Sequence, residues 1–117
     1  MKLSEIQATL NAEILTGDAG VEINTACGCD LMSDVLAFVK DQSLLLTGLI
    51  NSQVIRTAEM MDIVAVCFVR GKKPAEDVIQ LAKAKGIAVL TTAQPLYTAC
   101  GMLYEKGLGG RGCAEAL

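Results

Sequence analysis

The chain has 117 residues, a net charge of −3 and no histidine, and 52% of its residues are apolar although only 3% are aromatic. This length suits one domain with a single core, and the lack of histidine excludes the Ser-His and Cys-His pairs of ordinary hydrolases. The mild acidic charge argues against nucleic-acid binding, which needs a clustered basic face, and no apolar run reaches the ~20 residues of a membrane span.

The first third of the chain predicts two helices and two short strands. Ser4, with Gln7 three residues later, is typical of a capping box that begins a helix. Asp30 is predicted to cap the second helix, and Asp34 lies one turn further on, an arrangement that favours capping over a metal-binding pair. The strands and the second helix are predicted at residues 13–16, 21–26 and 30–39, with a loop at residues 27–29 before that helix.

From residue 42 onward, continuous apolar runs alternate with helical patterns. The runs are residues 44–46, 63–69 and 87–90, and the helices that follow them begin near Asn51, Pro74 and Pro95. This pattern is typical of buried strands in a parallel sheet. We therefore predict a single α/β domain of the three-layer type, with a mostly parallel central sheet of four to five strands flanked by helices. The two earlier strands are expected to join it, with an antiparallel position at an edge as one option.

The predicted ligand site lies where the three apolar runs end. In parallel sheets the carboxyl ends of the strands and the amino ends of the helices share one edge, where ligands usually bind. Exposed helix N–H groups and basic side chains at that edge suit an anion such as a nucleotide, although the basic turn is equally compatible with a solvated surface. The predicted ligand-binding residues are Thr47, Gly48, Asn51, Arg70, Gly71, Thr92 and Thr98. Thr47 and Thr92 are expected to donate hydroxyl hydrogen bonds, and Arg70 is expected to pair with the anion.

The cysteines offer a second candidate site. Cys27 and Cys29 lie one residue apart at a predicted helix start, where the helix dipole lowers the pKa of a thiol and favours redox chemistry. An odd number of cysteines, five, argues against a disulfide framework. Zinc and iron–sulfur sites usually need four ligands, and Cys67, Cys100 and Cys113 are isolated, so we predict no metal and no cofactor within one subunit. A metal site shared across a dimer, with Cys113 or symmetry-related Cys27 and Cys29, remains an alternative.

Several short blocks of the sequence, in this order, resemble the DRTGG domain family. They are residues 29–35, 45–48, 69–74 and 89–92, together with Thr98, and the resemblance extends from Leu3 to about Gly107. The chain is similar to the stand-alone form of anaerobic bacteria and archaea, often encoded near iron-only hydrogenase or electron-transfer genes. Residues 69–98 also resemble the amino-terminal domain of HPr kinase. The five-letter motif that names the family does not occur, and Cys27 and Cys29 stand where relatives tend to have glycine and an aromatic residue.

The resemblance implies an α/β regulatory module of the kind that accompanies phosphotransacetylase or CBS-containing pyrophosphatase domains, none of which is present. It implies no kinase activity, because the phosphate-binding kinase domain is missing. We therefore predict a DRTGG-like domain over residues 1–107, followed by a flexible Gly-rich tail at residues 108–117. We expect a non-catalytic, cytoplasmic homodimer that senses a small anionic ligand and contacts neither nucleic acid nor membrane. The alternatives are a thiol redox or metal-responsive protein using Cys27 and Cys29, or a scaffold for a partner protein in anaerobic electron-transfer metabolism.

Overall fold

The computed structural model describes residues 1–38 and 42–109. Within these residues the chain forms five helices and five strands. They are α1 (Leu3–Leu10), β1 (Glu13–Thr16), β2 (Thr25–Gly28), α2 (Met32–Phe38), β3 (Ser43–Thr47), α3 (Ser52–Met60), β4 (Ile63–Phe68), α4 (Glu76–Ala84), β5 (Ala88–Thr91) and α5 (Leu96–Glu105). In this part of the chain no helix is both long and apolar enough to cross a membrane.

The strands form one sheet in the order β1-β5-β4-β3-β2. The neighbours from β2 to β5 pair in parallel, and β1 pairs antiparallel with β5 at one edge. All five residues of β3 are buried, as expected for a strand covered on both faces. The predicted mostly parallel sheet is confirmed, and so is the antiparallel edge position for the first strand.

Helices cover both faces of the sheet. On one face Leu44 and Leu46 pack in a cluster that includes residues of α1 and α5. On the other face Leu45 packs with residues of α2, α3 and α4. Because side chains alternate along a strand, one continuous apolar run supplies both cores. The predicted three-layer architecture is therefore confirmed.

The second strand differs from the prediction, since it spans Thr25–Gly28 instead of residues 21–26. Cys27 and Gly28, predicted as loop residues, extend the sheet beside β3. The preceding segment pairs with the amino terminus instead: Ile23 N–H donates to the Met1 carbonyl at 2.8 Å. Hydrophobicity alternates from Val21 to Asn24 because Ile23 is buried beneath α1. In the sequence alone, this alternation looks the same as that of a strand in the sheet.

Three helix starts also differ from the prediction. The first helix begins at Leu3, and Glu5 accepts a hydrogen bond from the Lys2 backbone N–H at 3.1 Å, so Ser4 lies inside the helix. The second begins at Met32, and Asp30 makes sheet-edge contacts instead of capping it. The fourth begins at Glu76, two residues after Pro74. By contrast, Asn51 and Pro95 stand at the N-cap positions of α3 and α5.

The chain after α5 returns to the sheet. Leu108 is buried, and the Gly109 carbonyl accepts a hydrogen bond from Ala26 N–H at 3.0 Å. The first two residues of the predicted tail are thus packed against the domain. The rest of that tail, with Cys113, and the predicted helix end at Val39 lie outside the described residues.

Candidate functional site

The carboxyl ends of β3, β4 and β5 meet at one side of the sheet, which we call the carboxyl edge. Val69 N–H donates to the Thr47 carbonyl at 3.1 Å, and Thr92 N–H donates to the Phe68 carbonyl at 3.0 Å. The parallel register places Thr47 beside Phe68, and Phe68 beside Thr91. Thr47, Arg70 and Thr92 therefore stand at one edge, as their positions in the sequence predict.

The loop after β4 is fastened to the loop after β5 by backbone hydrogen bonds. Arg70 N–H donates to the Gln94 carbonyl at 2.9 Å, and Gly71 N–H donates to the Thr92 carbonyl at 2.7 Å. Both residues have left-handed backbone, with φ of +61° at Arg70 and +69° at Gly71. This conformation suits glycine, but it costs an arginine ~1 kcal/mol. The fold holds Arg70 in a strained conformation at the predicted site.

Asp30, predicted to cap a helix, instead bonds to residues at the end of β3. Asp30 Oδ1 accepts hydrogen bonds from Thr47 Oγ1 at 2.9 Å and from Gly48 N–H at 2.8 Å. Lys72 reaches the same point from the next loop, and its Nζ donates to the Gly48 carbonyl at 3.0 Å. Asp30 and Lys72 thus converge on Gly48, and the chain's own carboxylate holds two donors that an external anion would otherwise use.

The hydroxyls of Thr47 and Thr92 are used inside the fold. Both side chains are buried. Thr47 Oγ1 donates to Asp30, whereas Thr92 Oγ1 donates to the Leu10 carbonyl at 2.8 Å and accepts from Gln94 N–H at 3.3 Å. Since a hydroxyl has one proton to donate, neither residue keeps a donor for a ligand. Both hydroxyl protons are therefore donated within the protein in this structure, and the hydroxyl-donor role toward a ligand stays a prediction.

The remaining predicted residues are accessible from solvent. Arg70 is exposed, and its guanidinium makes no ion pair or hydrogen bond with another described residue. The Asn51 side chain makes no capping bond at the start of α3, and Thr98 is exposed in the first turn of α5. Neither helix has an acidic residue in its first turn, whereas α4 has Glu76 and Asp77 there. The edge therefore presents positive helix ends at α3 and α5, and an unpaired cation.

Cys27 and Cys29 lie on the same face of the sheet, and both are half-buried against the α2–α4 core. Cys29 Sγ lies 3.4 Å from the backbone nitrogen of Leu31 and 3.3 Å from its carbonyl oxygen. Across residues 1–38 and 42–109 no three histidine, cysteine, aspartate or glutamate side chains are grouped so that they could hold a metal ion.

The other two described cysteines lie in the opposite core. Cys67 is fully buried, and burial raises the pKa of its thiol to about 12. Burial also raises the pKa of the Cys100 thiol, which packs against Gly28. Both thiols are therefore protonated at neutral pH and are poor nucleophiles.

Both a protein-family model and a solved structure match this chain. The model of the DRTGG domain matches residues 5–105. A crystal structure of the CBS and DRTGG domains from the regulatory region of a Clostridium perfringens pyrophosphatase, complexed with the activator diadenosine tetraphosphate, matches with a TM-score of 0.71 and 19% sequence identity. The match covers 87% of this chain and 45% of that chain. No curated protein sequence matches this chain.

Proposed function

The chain belongs to the DRTGG domain family, and we propose that it is a non-catalytic regulatory module that binds a small anionic ligand such as a nucleotide at the carboxyl edge. The observation that carries this proposal is Arg70. Its guanidinium is exposed and unpaired within the described residues, and its backbone is strained. Strained residues of this kind concentrate at functional sites, because selection for stability alone would replace them with glycine.

The distribution of charge along the edge supports one position for the proposed ligand. At the end of β3, Asp30 holds the Gly48 N–H and would repel an anion. Next to it, on the β4 and β5 side, Arg70 supplies a planar cation that suits phosphate. The uncapped start of α5, where Thr98 is exposed, adds free N–H groups. We therefore place the anionic group of the ligand near Arg70 and the start of α5.

The ligand class follows from chemistry and from the structural neighbour. Guanidinium and helix N–H groups together suit phosphate oxygens more than a single carboxylate. The neighbouring regulatory region was crystallised with a dinucleotide activator, which supports nucleotides as the first ligands to test. The lack of histidine and the raised pKa of the buried Cys67 thiol support a binding role without catalysis.

Isothermal titration calorimetry tests the ligand site. ATP, ADP, AMP, diadenosine tetraphosphate and inorganic phosphate are titrated into the wild-type chain. We expect Arg70→Ala to weaken binding of any ligand found by about tenfold or more, which corresponds to ~1.4 kcal/mol. Arg56→Ala removes the same charge from an exposed position in the middle of α3 and should leave binding unchanged. Absence of binding by every anion, or equal losses in the two variants, would refute the proposed site.

A thiol-based sensor is the second candidate, and the shared face of Cys27 and Cys29 favours it. Both side chains are accessible in part, and both pack against the same core of α2–α4. The measurement is the rate of labelling by iodoacetamide at pH 7.5 in protein purified without oxygen, together with its metal content. Rapid labelling of these two thiols supports the sensor, and slow labelling in metal-free protein removes it.

We also propose that the module is a homodimer. A content of 52% apolar residues is high for a chain of this size, and exposed apolar surface favours association. This proposal does not depend on the ligand.

A further inference from the structure

Helix α5 presents an uncharged, aromatic surface to solvent. Tyr97 is 91% exposed and Tyr104 is 73% exposed, and these are the only two tyrosines of the chain. With 3.6 residues per turn, Tyr97, Gly101 and Tyr104 lie within an arc of about 60°. No charged residue occurs from Gln94 to Tyr104. We call the surface formed by Tyr97, Gly101 and Tyr104 the tyrosine stripe.

Gly101, at the centre of the stripe, has no role in packing within the described chain. A Cβ atom added there would meet nothing within 4 Å, and its φ lies outside the left-handed region that would require glycine. Glycine in the middle of a helix is destabilising compared with alanine. Glycine at an open helix position lets another backbone approach closely, as small residues do where helices pack within membranes.

The stripe is complementary to itself. At 1.5 Å per residue, Tyr97 lies ~6 Å from Gly101 along the helix axis, and Tyr104 lies ~4.5 Å away in the opposite direction. When two such helices cross antiparallel at Gly101, Tyr97 of one copy comes within ~1.5 Å, along the axis, of Tyr104 of the second copy. A twofold axis through Gly101 thus pairs the tyrosines on both sides of the crossing.

A second copy of this chain is therefore the partner that fits, and we propose that the tyrosine stripe is the contact surface of a homodimer. Two acidic copies can meet there without opposing like charges, because the stripe carries none. Four tyrosines would bury on the order of 600 Å², less than the ~1,200 Å² of a stable interface.

Within residues 1–38 and 42–109, further apolar surface lies beside the stripe. Tyr104 also lines an apolar cleft of about 220 Å³ with Cys100, Leu108 and residues of β2. The cleft is continuous with the stripe and lies at the edge strand of the sheet. The surface deepens the proposed homodimer. Tyr97 stands next to Thr98 at the start of α5, but the stripe does not include Arg70, so the dimer and the ligand site are tested by different variants.

Sedimentation equilibrium of the full chain, with the Gly101→Arg and Gly101→Ala variants, tests the surface. Both variants place atoms in open space in the monomer and improve helix propensity, so the monomer should fold normally. We expect the wild type to dimerise and Gly101→Arg to raise the dissociation constant at least ~30-fold, because it places two cations at the crossing. Gly101→Ala should weaken the dimer more mildly, while the melting temperature of the dilute monomer rises by a few degrees.

The matched control is Ala84→Arg, the same kind of change at an exposed helix position in the other layer. It should leave the dissociation constant unchanged. A wild type that stays monomeric at millimolar concentration would overturn the proposal, and so would a dimer that Gly101→Arg and Ala84→Arg affect equally. Calorimetry with Arg70→Ala reports on the ligand separately, so the two failures are distinguishable.

Discussion

Replacement of Asp30 by alanine should destabilise the fold more than its exposed position suggests. The carboxylate accepts two hydrogen bonds, from Thr47 Oγ1 at 2.9 Å and from Gly48 N–H at 2.8 Å. Thr47 is fully buried, so its hydroxyl would lose its acceptor without access to water. Hydrogen bonds to charged groups contribute ~1.5–3 kcal/mol each. Because Asp30 is itself exposed, we take ~1–1.5 kcal/mol for each of the two bonds and expect a total loss of about 2–3 kcal/mol.

Urea denaturation at pH 7 gives the free energy of unfolding of each variant. Asp30→Asn keeps an oxygen that can accept both bonds but removes the charge. Since charge-assisted hydrogen bonds are about twice as strong as neutral ones, its loss should be about half that of Asp30→Ala, roughly 1 kcal/mol. Asp34→Ala is the matched control. That carboxylate lies four residues further on, in the first turn of α2, where only its charge near the helix start contributes, ~0.5 kcal/mol.

If Asp30→Ala and Asp34→Ala lowered the free energy of unfolding by the same small amount, ~0.5 kcal/mol or less, the hydrogen bonds of Asp30 would contribute nothing to stability. A change in the denaturant slope would show instead that the variant alters the compactness of the native or the unfolded state. An unchanged slope with a lower midpoint is the expected pattern.

Three further predictions follow from particular contacts. Arg70→Gly should raise the free energy of unfolding by about 1 kcal/mol in urea denaturation, since it removes the left-handed strain at φ +61°; a lower stability would contradict this account. Gly28→Ala should lower stability by ~1–3 kcal/mol, because the new Cβ would overlap Cys100 Sγ, and a second change, Cys100→Ala, should restore most of the loss; additive effects would argue against the contact. Burial raises the pKa of the Cys67 thiol to about 12. The contribution of the protonated thiol to the free energy of unfolding is therefore fully present below pH 9, near the pKa of the unfolded chain, and is lost as pH rises towards 12. Between pH 8 and pH 10.5 the wild type should lose about 2 kcal/mol more than Cys67→Ala, and equal losses would show that this thiol ionises normally.

The central strands could be predicted from the sequence because burial on both faces leaves a plain signal. The five residues of β3 are buried without exception, and the run that forms β4 is equally apolar. No polar alternation competes with a strand assignment there. The helix ends near Gly86 and Gly107 were predictable for a different, local reason. Both glycines have left-handed backbone, with φ of +71° and +102°, and helices commonly end at a glycine in that conformation.

The extent of β2 could not be predicted, because its stabilising contacts are distant in sequence. Thr25–Gly28 includes a glycine and two small residues, which carry little strand propensity. The strand exists because it pairs with β3, and Ala26 N–H is also bonded to Gly109 near the other end of the chain. Because β2 was predicted at residues 21–26, the contact of Asp30 with the end of β3 was not predicted either. With β2 ending at Gly28, Asp30 comes just past a strand and stands beside Thr47 and Gly48 at the end of β3, which indicates a contact at the carboxyl edge.

The carboxyl edge is divided into a part that stabilises the fold and a part that exposes a cationic side chain. At the end of β3 the Asp30 carboxylate accepts hydrogen bonds from Thr47 and Gly48, and the Lys72 ammonium donates to the Gly48 carbonyl. On the β4 and β5 side the backbone is tied down equally well, yet Arg70 is left without a partner among the described residues. Because hydrogen bonds hold the backbone of this loop while the guanidinium is exposed, the proposed ligand would bind there without ordering the loop. The threonine hydroxyls at the strand ends bond within the protein, so the guanidinium is the group through which the proposed anion would be sensed.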